Sequence, residues 1–124
     1  MSETTLWTNS APSSDFAAQT VTLSDNIQNY DYIKIYVAFS KDALTSVWSE
    51  LMPISDFLNT VAVSGQGRGV VGLCEVSASS YTRYRLAYYV TDTTIRFSNA
   101  NNVQNSSATQ TNNNLIPLRV VGCK

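Results

Sequence analysis

The chain has 124 residues, a formal net charge of −1 and no histidine, and only 14% of its residues are charged, against roughly 25% in an ordinary globular protein. No overall field draws it toward nucleic acid or an anionic membrane. Without an imidazole it lacks the usual general base, the Ser–His and Cys–His nucleophile pairs and the commonest metal ligand.

One domain, residues 1–124, is expected at this length, and it is long enough to bury a core. No apolar run approaches the roughly 20 residues that cross a bilayer, so no membrane insertion is expected. The start, MSETTLWTNS, has no basic stretch followed by an apolar one, so no secretory signal is expected either. Cys74 and Cys123 are the two cysteines. Buried free thiols are their expected state, since Cys is among the residues most often buried; a disulfide between them stays open.

In chain order, residues 6–8 form a short apolar start and residues 9–15, NSAPSSD, read as a turn. Residues 16–23 alternate loosely and predict a strand, and residues 24–29 a loop. Residues 30–40, YDYIKIYVAFS, predict a strong strand. Steps of two put Ile33, Ile35, Val37 and Phe39 toward a core, and Tyr30, Tyr32, Lys34 and Tyr36 outward. Residues 47–54 predict a strand, an edge or terminus because of Pro53. Residues 55–59 read as a short helical turn capped by Ser55, or as a plain connection. Residues 60–64 are short and β-branched. Residues 65–69, GQGRG, read as a hairpin turn; a phosphate loop would have to feed a helix, and the strand-like Val70–Val76 follows instead.

Residues 80–91, SYTRYRLAYYVT, carry the strongest strand signal. Thr82, Tyr84, Leu86, Tyr88 and Val90 share one face, read as the core face. Tyr81, Arg83, Arg85, Ala87, Tyr89 and Thr91 share the other, read as outward. Asp92 and Thr93 predict a hairpin into residues 94–98. Residues 99–114, NANNVQNSSATQTNNN, predict a long polar loop with one short edge strand near Val103. Residues 115–123 close the chain as an apolar strand. About seven to eight short strands without helical period predict an all-β antiparallel β-sandwich, of jelly-roll or Greek-key type.

The nine carboxylates are scattered, and no spacing suggests a glycosidase pair, a calcium loop or a zinc cluster. No enzyme activity, metal or cofactor is expected. The residues that stand out are Tyr32, Lys34, Tyr36, Tyr81, Arg83, Arg85 and Tyr89, two outward aromatic faces with basic residues between the rings. Four readings are open for them: a subunit interface, cross-strand cover of Tyr by Arg, a sugar site, and a platform for single-stranded nucleic acid. The near-neutral charge counts against the last, so no nucleic-acid partner is expected. An interface leads, because a contiguous Tyr face is costly to leave wet and its burial at roughly 25 cal/mol per Å² stabilises each contact by several kcal/mol.

The stretch LWTN with PSSDFAAQTV at residues 6–21, the strand YDYIKI at 30–35 and the ending NLIPLRVVGCK at 114–124 resemble a small domain of bacteriophage and prophage tail-fibre, baseplate and receptor-binding proteins. Residues 41–80 carry none of the resemblance, and Leu118 stands where the domain's closing strand has an aromatic. The resemblance implies a β-sandwich on the virion, in a homotrimer beside other virion proteins, attaching to the bacterial surface through glycans. It transfers no ligand residue. A monomeric carbohydrate-binding module, with Tyr32, Tyr36, Tyr81, Arg83, Arg85 and Tyr89 around the sugar, and a virion decoration protein without ligand are the alternatives.

Overall fold

The computed structural model describes residues 2–60, 62–63, 66–67, 70–76, 81–104 and 107–124, and along 45–50, 62–63, 66–67, 70–76, 81–82 and 104 the backbone alone. The strands are β1 (Glu3–Thr8), β2 (Gln19–Thr22), β3 (Tyr32–Ser40), β4 (Ala43–Pro53), β5 (Ala62–Val63), β6 (Gln66–Gly67), β7 (Val70–Val76), β8 (Tyr81–Thr91), β9 (Thr94–Phe97), β10 (Asn101–Gln104), β11 (Ser107–Gln110) and β12 (Asn114–Cys123). One sheet has the order β1-β12-β3-β4; the other runs β11-β10-β8-β9-β2, with β7 also paired to β8. These two antiparallel sheets hold ten strands, more than the seven to eight expected, and the fold is the all-β sandwich-like one expected. The chain changes sheets between β1 and β2, β2 and β3, β4 and β7, and β11 and β12.

Alternation builds the four-stranded sheet. Ile33, Ile35 and Val37 of β3 are buried and Tyr32, Lys34 and Tyr36 only partly so. The facing sheet contributes Val21, Ala87, Ile95 and Phe97 to the same core. Trp7, Phe16 and Phe97 close one part of it, with Phe16 meeting Phe97 edge-on at 5.5 Å and 88°. A 3-10 turn at Ile27–Asn29 and the short helix α1 (Ile54–Phe57) plug the rest through Ile27, Ile54 and Phe57. Ser55 does not cap that helix. Pro53 holds the N-cap position with no side-chain bond, because Ile54 and Phe57, three apart, must both reach the core, and Asp31 O takes the Ile54 N–H at 2.9 Å.

Several boundaries differ from the sequence reading. The strand expected at 16–23 shortens to β2, because Phe16 N bonds Asn112 O and Ala18 N bonds the Asn99 side chain. The strand expected at 47–54 lengthens to β4, which pairs with β3 from Ser40↔Ala43 to Tyr32↔Pro53. The polar loop expected at 99–114 is a hairpin, β10 and β11, that extends the six-stranded sheet beyond β8. Residues 65, 68 and 69 of the Gly-rich turn lie outside the described residues. Tyr30, read as outward, is buried: its ring lies flat on Gly122, where a Cβ would come within 2.6 Å of it, and its hydroxyl donates to Asp25 Oδ2 at 2.9 Å. Cys123 is a buried free thiol.

Candidate functional site

The outer face of the four-stranded sheet gathers part of the predicted set. Tyr32, Lys34 and Tyr36 share it, as their spacing requires. Lys34 Nζ donates to Glu3 Oε1 at 2.9 Å and lies 4.9 Å from the centre of the Tyr36 ring. The Arg119 guanidinium covers the same ring at 4.1 Å, and the Tyr36 hydroxyl reaches Glu3 Oε1 at 3.5 Å. Bonds to Tyr36 and Glu3 raise the Lys34 pKa, and the bond from Lys34 lowers that of Glu3. Leu51, opposite Lys34 on β4, is 52% exposed. The tyrosine is thus already covered by the chain's own cations.

The other part of the set lies elsewhere, because β8 is turned over relative to the sequence reading. Arg85 and Ala87 are buried, whereas Tyr84, Leu86 and Tyr88 are partly open and Val90 is 46% exposed. Arg83, Arg85 and Tyr89 therefore point between the sheets. The reason is a gap. On one side of β8, β10 pairs with residues 82–84 and β9 with residues 87–91. Arg85 fills the interval. Its guanidinium donates to four backbone carbonyls: Leu115 O at 3.0 Å, Phe16 O at 2.9 Å, Ser98 O at 2.8 Å and Asn114 O at 3.1 Å. Phe16 and Ser98 lie outside any strand, while Asn114 and Leu115 open β12; a buried carbonyl without a donor is costly. Leu115 takes a left-handed conformation, φ 46°, as its carbonyl meets Arg85. Burial pushes the Arg85 pKa down to about 10, so it stays charged at neutral pH. Arg83 stacks 4.1 Å from the Phe39 ring. Tyr89 packs against the core and donates to Asp92 Oδ1 at 2.8 Å, which raises its pKa. The side chain of Tyr81 lies outside the described residues. The predicted residues do not share one face: Tyr32, Lys34 and Tyr36 lie on the outer face of β3, whereas Arg83, Arg85 and Tyr89 are turned between the sheets.

A third place was missed by the sequence reading. The 9–15 turn folds back beside β1 and leaves a cleft of about 260 Å³ lined by residues including Trp7, Asn9, Ser14, Asp15, Phe16 and Gln19. Asn9 fixes the turn, donating to Pro117 O at 2.8 Å and accepting from Ala11 N at 2.8 Å. Asp15 Oδ1 accepts from Lys41 Nζ at 2.8 Å. The legible signal was a tryptophan followed closely by serines, amides and a carboxylate.

No protein-family model, curated protein or solved structure matches the chain. The site therefore rests on its own geometry. Among the described residues there is no cluster of three His, Cys, Asp or Glu able to hold a metal, and no helix long and apolar enough to cross a membrane.

Proposed function

We propose that this chain is a non-enzymatic attachment domain of a bacteriophage or prophage virion, of the tail-fibre or receptor-binding type, that works as a homotrimer beside other virion proteins and engages bacterial surface glycans. The observation that carries this reading is the outward face of β8. Tyr84, Leu86 and Tyr88 are only partly covered and Val90 is open, at the centre of a sheet where a solitary sandwich places polar side chains. An apolar surface stripe of this kind fits an interaction protein. It suits contact between copies better than the outer face of the other sheet, where Lys34 and Arg119 would meet their own counterparts. Of the three stretches that resemble phage fibre domains, 30–35 and 114–124 include parts of β3 and β12, neighbours in one sheet, and 6–21 runs from the end of β1, beside β12, into β2 of the other sheet.

The test is binding of the full chain to immobilised envelope glycans extracted from a panel of bacterial strains. Saturable binding to the glycans of some strains and not others is the expected result. A chain that assembles but binds no envelope glycan contradicts the attachment reading and favours a virion structural protein.

A further inference from the structure

We infer that the cleft between β1 and the 9–19 segment binds a single uncharged sugar ring; this rests on the attachment reading only for the source of the sugar, a bacterial surface glycan. At about 260 Å³ the cleft falls just below the roughly 300–1,000 Å³ of pockets for drug-sized ligands, which suits one ring. Its lining has the two chemistries such a ring needs. Trp7, half-buried against Phe16 and Phe97, offers an aromatic surface for a C–H face. Ser14, Asp15 and Gln19 offer donors and acceptors for hydroxyls, the Gln19 amide while also donating to Ala17 O at 3.1 Å, and a carboxylate accepts from hydroxyls through charge-assisted bonds. The Asp15 carboxylate is oriented by Lys41 on Oδ1, while Oδ2 has no partner among the described residues. Lys41 pairs with Asp15 and feels Asp42 beside it as well, so the local balance is not positive and an acidic ring gains no attraction, which favours an uncharged one. A purely apolar ligand would strand the amides and hydroxyls. The segment is held in place by Asn9 to Pro117 O, Phe16 N to Asn112 O and Ala18 N to Asn99 Oδ1, so little ordering opposes binding.

The experiment is a two-dimensional amide NMR titration of the whole chain with methyl glycosides of glucose, galactose and mannose, with N-acetylglucosamine, and with the acidic sugar N-acetylneuraminic acid. A neutral sugar is expected to give saturable shifts confined to residues 7–19 and 41, with a Kd on the order of 1 mM. Asp15→Ala and Gln19→Ala, both at exposed positions, should weaken it by roughly tenfold or more while the rest of the spectrum is unchanged. No saturable shift with any neutral sugar, equal binding by both variants, tighter binding of the acidic sugar, or shifts centred on Tyr32 and Tyr36 would each overturn the inference. Envelope glycans bound equally by wild type and both variants would leave the attachment reading standing and remove the cleft. Sugar saturation of the cleft in a chain that binds no envelope glycan would do the reverse.

Discussion

Arg85 shows how far one residue organises this fold. It brings together the end of the N-terminal segment at Phe16, the bend after β9 at Ser98 and the start of β12 at Asn114 and Leu115. It has no carboxylate partner among the described residues, so its value lies in filling carbonyls that would otherwise be buried and unbonded. Arg85→Met should lower the free energy of unfolding by about 3 kcal/mol or more, read from urea denaturation. Arg85→Lys should recover only part of that, since one ammonium cannot span the planar fork's reach. The outer-face pair behaves differently. Lys34 and Glu3 are a solvated pair, and Lys34→Ala should leave the urea midpoint nearly unchanged. The alternation in residues 80–91 was legible as a strand, but its two faces were assigned in reverse. Leu86 and Val90 are apolar and Arg83 and Arg85 charged, so local hydrophobicity argued for the wrong side. What decides the orientation is the set of backbone carbonyls that Arg85 meets, contributed by residues 16, 98, 114 and 115, and nothing within 80–91 encodes them.

Among the elements, β3 was legible and the β10–β11 hairpin was not. The aliphatic stripe of β3 faces a core and its Tyr–Lys face does not, so period two reads directly. Every residue of β11 is exposed, so no apolar face marks it as a strand. Amide side chains hold that region instead: Asn114 Nδ2 to Asn102 Oδ1 at 3.2 Å, Asn99 Nδ2 to Gln110 Oε1 at 3.3 Å, and Ala100 N to Asn112 Oδ1 at 3.3 Å. The contact of β12 with the segment before β3 yields a further prediction. Gly122→Ala would drive a methyl into the Tyr30 ring and should destabilise by about 1–3 kcal/mol, seen as a lower urea midpoint without loss of the β-type circular dichroism spectrum. The turn around Ile27 adds a pH dependence. Asp25 is held below its ordinary 3.8 chiefly by the Tyr30 hydroxyl, and Asp92 by Gln28 and Tyr89. Carboxylates with lowered folded pKa values bind more protons when unfolded, so their contribution is present above the ordinary value and lost as pH falls through the lowered one. The urea midpoint should hold steady down to about pH 5 and fall below about pH 4, and Asp25→Asn with Asp92→Asn should flatten that fall.

For the molecule as a whole, a sandwich was legible because many short strands separated by turn signals leave few other architectures. Its cleft was not, because Trp7, Asp15 and Gln19 meet only once the 9–15 turn has folded back on β1. The proposed attachment domain assembles through the outward stripe of β8. Leu86 lies in that stripe, so Leu86→Asp should separate the subunits and leave the spectrum of the folded chain intact. The most direct measurement is the solution mass by light scattering on a sizing column, wild type beside Leu86→Asp. Three times the 13.6 kDa of one chain for wild type, falling to a single chain in the variant, is the predicted result. A wild-type chain that stays monomeric at high concentration, or a trimer indifferent to Leu86→Asp, would contradict it.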